Sequence, residues 1–219
     1  MQILPVLDLM GGVVVHGRGG RRDSYRPIAS PLGSAEDAAG LARALLREAD
    51  AGTLYVADLD AIEGKPLQIG ALTAIRDGVP AVQLWVDGGF ADPAAARSLP
   101  PGLRPVFGSE SLQSVPSAWP PDSILSLDFA GACFRGPAEL LNHADTWPFD
   151  IIVMTLAAVG SDAGPDMARI ADIVRRAGGR RVFAAGGVRN REDLAALHEA
   201  GCHGALVASA LHAGRLRGP

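Results

Sequence analysis

The sequence predicts an α/β protein, a single (β/α)8 TIM barrel made of two related half-barrels. Three observations predict it. Short apolar runs alternate with helical patterns along the whole chain, the runs number eight, matching Gly-Gly and Ser positions recur about a hundred residues apart, and a strand-end Asp recurs in the first strand of each half. Continuous apolarity over about 4–8 residues suits strands buried on both faces, as in a parallel sheet. Eight such strands in βα alternation favour a closed barrel over an open doubly wound sheet.

In chain order the runs are "ILPVLDL" (3–9), "TLYVADL" (53–59), "AVQLWVD" (81–87), "LRPVFG" (103–108), "SILSLDF" (123–129), "DIIVMTL" (150–156), "RVFAAG" (181–186) and "GALVAS" (204–209). The clearest helical segments between them are "SAEDAAGLARALLREADAG", "GPDMARIADIVRRAGG" and "NREDLAALHEAG". The first opens at a cap-like Ser34 and ends at Gly52, and the last opens at Asn190 and ends at Gly201; these are helix start and stop signals. The segments near 109–118 and 136–146 are proline-rich and are expected to be short or irregular. Too few residues follow Ser209 for a full outer helix, so the last helix is expected to be truncated to a short one at the strand end. The outer side of the first and eighth strands, with Ile3, Leu4 and Leu206, then needs cover from a second copy in a homodimer, or from the flanking helical segments near 34–51 and 190–200.

The bulk numbers bound the rest. The 219 residues, 48% hydrophobic and 20% charged, suit one domain over 1–219. A net charge of -4 gives no support to nucleic-acid binding. Cys133 and Cys202 stand in no paired spacing, which fits a reducing compartment and offers no disulfide framework. The N-terminus lacks a basic leader, and "DIIVMTLAAVG" is too short to cross a membrane. The expectation is a cytoplasmic protein that engages neither membrane nor nucleic acid.

The active face of such a barrel lies at the C-terminal strand ends. Gly88-Gly89 and Gly186-Gly187 fall there, after the third and seventh strands, and the next strands end in Gly108-Ser109 and Ala208-Ser209. Glycine lets a ligand approach the main chain, and amides at the following helix N-termini suit an anion, so each set is a candidate phosphate site. Asp8 and Asp128 end the first strand of each half and face one another across the mouth. Alone, a Gly-Gly is a turn and a strand-end Asp a loop cap; the repetition favours an acid and a base between two phosphates. Arg18, Arg21, Arg22 and Arg26 follow the first strand, as a solvated loop or as a lid that gathers anions. His198, Cys202 and His203 sit at the opposite face, and no metal site is expected there.

At these residues the chain resembles the histidine-biosynthesis barrel family, which contains a phosphoribosyl-formimino aminoimidazole carboxamide ribotide isomerase and a related cyclase subunit. The resemblance spans nearly the whole chain and is most specific at "LPVLDLMGGVVV", "YVADLDAIEGKP", "DGGFADPAAA", "FGSES", "LSLDF" and "AAGGVRNREDLAAL". It implies an Amadori rearrangement of a phosphoribosyl substrate, aminoaldose to aminoketose, with a phosphate at each end and no metal or organic cofactor. It assigns Asp128 as general acid for ring opening, Asp8 as the base at C2 and Thr155 as an assisting residue, with His16 and Arg18 as further substrate contacts. The chain departs from the pattern at Val159, where the family places an acid in a longer loop, at His16 in place of Arg or Lys, and at Ala208 in place of Gly. These departures leave room for a different substrate, or for a barrel that only binds phosphorylated metabolites. "GRRDSYRPI" and "DLDAIEGK" also resemble a branch of isomerase-like proteins associated with one-carbon, methanopterin-type cofactor metabolism.

Overall fold

All eight apolar runs become parallel strands of one closed barrel in the computed structural model, which describes residues 1–17, 19 and 22–216. The strands are β1 (Gln2–Met10), β3 (Thr53–Asp58), β4 (Gln83–Asp87), β5 (Arg104–Gly108), β6 (Ile124–Ala130), β8 (Asp150–Thr155), β9 (Arg181–Ala185) and β10 (Gly204–Val207). Each pairs with its neighbour in chain order, and β10 closes on β1 with Leu4 opposite Leu206. Helices α1 (Ala38–Ala49), α2 (Leu59–Ile62), α3 (Ile69–Gly78), α4 (Ala138–Asn142), α5 (Met167–Arg176), α6 (Arg191–Glu199) and α7 (Ser209–His212) fill the connections.

Alternation along each strand sorts the apolar side chains into two clusters. Leu4, Tyr55, Trp85, Val106, Ile124, Ile152, Phe183 and Leu206 fill the lumen. Leu7, Leu9, Val56, Val86, Leu127 and Val153 face outward onto Leu41, Leu45, Leu72, Ile75, Ile170 and Leu197 of the helices. At the N-terminal rim the fully buried Asp150 carboxylate accepts from Arg104 at 2.8 Å and from Arg181 at 2.6 and 2.7 Å, tying three strands together.

Two hairpin strands are absent from the sequence reading. β2 (Val13–Val15) turns back on β1, and β7 (Cys133–Arg135) turns back on β6. The two hairpins share one register: Asp8 stands opposite Val15, and Asp128 opposite Arg135. The repeat between the halves therefore extends beyond the motifs that suggested it.

The helix ends correct two expectations. α1 is capped by Asp37, whose carboxylate accepts from Gly40 N at 2.8 Å, while Ser34 hydrogen-bonds Glu36 instead. The same helix closes at Asp50 in the left-handed region (φ 47), ahead of Gly52. Asn190 does cap α6, accepting from Asp193 N at 3.0 Å, and Gly201 (φ 91) follows its end. The 109–118 segment holds no helix, and 136–146 holds only the five-residue α4 and a 3-10 turn.

The cover of β1 and β10 also differs from expectation. Leu4 (0% exposed) and Leu206 (4%) point into the lumen, because the period of two places them there; only Ile3 faces outward, half-buried. Leu211 and Leu216, from α7 and the residues after it, join the outer cluster, and Arg191 donates to Leu216 O at 3.2 Å. Among the described residues, no helix is long and apolar enough to cross a membrane.

Candidate active site

The C-terminal mouth opens into a cavity whose wall includes Asp8, Tyr55, Asp87 and Asp128. Alternation puts each there: Asp8 follows lumen-facing Leu4 and Val6, Asp87 follows Trp85, and Asp128 follows Ile124 and Ser126. The turn after β1 is braced from the segment that follows β3, since Gly11 N donates to Asp60 of α2 at 2.7 Å and Gly12 N to Gln68, just before α3, at 2.7 Å. That holds the strand end bearing Asp8.

Asp128 is buried, at 4% exposure. Ser126 Oγ donates to its carboxyl at 2.6 Å, and Glu110 N at 3.1 Å. Burial pushes its pKa up to about 8; the Ser126 hydrogen bond opposes the rise and the neighbouring Asp87 adds to it. It therefore keeps its proton at neutral pH. Tyr55 donates to Asp87 at 3.3 Å, and burial, with Asp87, Asp128 and Asp8 around it, holds its phenol well above the usual range. Tyr55, Asp87 and Glu110, and also Asp162 in the loop after β8, were missed by the sequence reading. Asp87 carried a signal, being the strand-end residue just before Gly88-Gly89.

The two glycine sets part company. Gly186, Gly187, Ala208 and Ser209 line the cavity, and His16 Nε2 lies 3.2 Å from Ser209 Oγ. Their missing side chains face protein rather than ligand: a Cβ at Gly186 would lie 2.5 Å from Thr155 O, and one at Gly187 would strike Gly164 O. Gly88, Gly89, Gly108 and Ser109 stay off the cavity wall. Gly89 N donates to Asp87 at 3.0 Å, and a Cβ there would lie 2.6 Å from Ile62 Cα. Ser109 is fully buried, with its N–H on Ser126 O at 2.8 Å and its hydroxyl on Arg135 O at 2.6 Å. The helix N-termini expected to supply amides are also missing here, since a 3-10 turn at 95–98 follows the first pair and no helix follows Ser109.

Thr155 is buried, but the cavity wall takes Met154 and Leu156 from this stretch, because alternation turns Thr155 the other way. Val159 packs near Gly17 and accepts from Gly19 N at 2.8 Å, joining the loops after β1 and β8. Of the arginine cluster, Arg26 donates back to Asp23 O and Tyr25 O of its own loop. Arg18, Arg21 and the side chain of Arg22 lie outside the described residues.

The model of the family described as Histidine biosynthesis protein matches residues 2–113 and 140–217. The chain belongs to this family. Asp8 lies inside the matched stretches, whereas Asp128 lies on the segment between them. An uncharacterized protein of Methanocaldococcus jannaschii is 27% identical over 99% of this chain and 95% of its own length. The 1-(5-phosphoribosyl)-5-((5-phosphoribosylamino)methylideneamino) imidazole-4-carboxamide isomerases of Methanosphaerula palustris and Haloarcula marismortui are 26% and 28% identical, over 99% and 98% of this chain and 96% and 92% of theirs. Family membership and the closed barrel agree.

Proposed function

We propose that the protein is an isomerase that converts an aminoaldose to an aminoketose on a phosphorylated ribosyl substrate, with Asp128 as general acid and Asp8 as base. The observation that carries this reading is the placement of the buried Asp128 carboxyl and the Asp8 carboxyl on one cavity wall; burial raises the pKa of Asp128, which suits it to the acid role. Asp128 gives its proton to the ring oxygen as the bond from that oxygen to C1 breaks, and the amine nitrogen supplies the electron pair for the open-chain iminium. Asp8 takes the proton from C2, leaving an enolamine. Proton return to C1 and loss of the C2 hydroxyl proton complete the aminoketose. Gly186, Gly187, Ala208 and Ser209 are the proposed phosphate wall, with His16 beside it. The isomerase names of the Methanosphaerula and Haloarcula relatives support the reaction class.

A second reading keeps the chemistry and changes the middle of the substrate. Val159 stands where the resemblance calls for an acid and packs against the loop after β1, so the central moiety meets a different wall. The test is turnover of the isomerases' imidazole carboxamide substrate. Asp8→Asn and Asp128→Asn should each lower turnover by about 10²–10⁴-fold while phosphate binding persists. Unchanged turnover in both variants sinks the mechanism; a wild-type protein that binds the substrate without converting it favours the second reading.

A further inference from the structure

The hairpins that follow β1 and β6 differ at one equivalent position. His16 and Gly136 occupy equivalent places, each one residue beyond the strand partner of the key aspartate, Val15 opposite Asp8 and Arg135 opposite Asp128. In the first half the position bears an imidazole, whose Nε2 stands 3.2 Å from Ser209 Oγ at the cavity wall. In the second half it bears glycine at φ 145, and the backbone closes onto Ser109: a Cβ on Gly136 would lie 2.6 Å from Ser109 O.

The closure uses the groups a second phosphate would need. Ser109 N donates to Ser126 O, Ser109 Oγ donates to Arg135 O and accepts from Asp128 N at 2.8 Å, Glu110 N donates to Asp128, and Gly89 N donates to Asp87. α2 lies against Gly89, and Leu67 and Phe90 lie against Gly88, each within 2.8 Å of where a Cβ would be. Opening this pocket would strip several of these polar groups of their partners. Gly88 and Gly89 border a separate cavity with Lys65, Leu67 and Ser98; the wall of the mouth at this end is Tyr55, Asp87, Glu110 and Asp128. Carboxyl and phenol groups there suit hydroxyl or amino donors on a ligand.

We propose that the substrate carries one phosphate, seated at Gly186, Gly187 and Ser209 beside His16, and that its other end presents hydroxyl or amino groups to Asp87, Glu110 and Asp128. This rests on the isomerase reading for the phosphate's place. It separates this chain from its named relatives, whose printed substrate carries two phosphoribosyl groups.

The experiment is calorimetric titration with a ribose monophosphate phosphorylated at its terminal carbon and with the corresponding bisphosphate, on the full chain and on Ser209→Asp. The monophosphate should bind one to one, and the second phosphate should tighten binding by less than about threefold, under 1 kcal/mol. Ser209→Asp should weaken both ligands at least about tenfold through like-charge repulsion at the seat. A crystal soaked with the bisphosphate should show the second phosphate away from Gly89 and Ser109. Tenfold tighter bisphosphate binding, or a phosphate on Gly89 and Ser109, overturns the single-phosphate proposal and leaves the isomerase reading standing. Binding that ignores Ser209→Asp overturns the seat. No binding of either ligand by the wild type overturns the proposal and the phosphoribosyl reading together.

Discussion

Asp128, the proposed general acid, also couples stability to pH. Its folded pKa of about 8 lies far above the ordinary carboxyl value of 3.8. Between those values the native state holds a proton that the unfolded chain has released. Stability is therefore fullest below about pH 4 and is lost as pH rises through about 8. Asp128→Asn does not titrate, so its stability relative to wild type should improve steadily from about pH 5 to pH 8 in urea melts, whatever the fixed offset. A constant difference across that range would mean that Asp128 is ionised in the fold. His212 makes the opposite case: burial, with His16 nearby, pushes its pKa down to about 4, so it stays neutral while its Nδ1 lies 2.8 Å from Ser30 Oγ.

At the scale of elements, the strand-end loops are specified by backbone geometry more than by side-chain chemistry. Gly89 combines φ 65 with the close approach of α2, where an added Cβ would lie 2.6 Å from Ile62 Cα and 2.9 Å from Ala61 O. Gly89→Ala should cost about 3 kcal/mol, from left-handed strain and from a clash with helix backbone that cannot rotate away. A urea midpoint within error of wild type would show that α2 does not hold this loop closed. The same packing explains what was legible here. "DGGF" and "AAGGV" marked the strand ends correctly, yet they could not say which side of each glycine faced a ligand. The α1 cap fails similarly, since Ser34 and Asp37 are both good caps and only the path of the loop chooses between them.

For the whole molecule, closure of β10 on β1 removes the sheet edge, and the lumen takes Leu4 and Leu206. Two of the three residues that motivated a homodimer are thereby buried, and Leu211 and Leu216 pack into the outer cluster from the chain's own last described segment. The large exposed apolar residues are scattered as Met1, Ile69 and Phe149, the last with the Arg181 guanidinium 5.2 Å from its ring centre. Single apolar residues of this kind do not make an interface. Light scattering at micromolar concentration should give a monomer mass, and a dimer mass would point to a face other than the one around Ile3.

The sequence by itself determined the eight strands, the barrel, the two-half repeat and the placement of Asp8 and Asp128 on the first strand of each half, because each follows from local periodicity or from recurrence along the chain. The tertiary structure alone decided which motif residues reach the cavity. Thr155 and Met154 are one step apart on the same strand, and the pleat gives the wall to Met154. Ser109 and Ser209 look equivalent in sequence, yet one is sealed under a glycine hairpin and the other stands beside His16. A motif records residue types in order; access to a ligand depends on which distant backbone closes over them, and that is settled only when the chain packs.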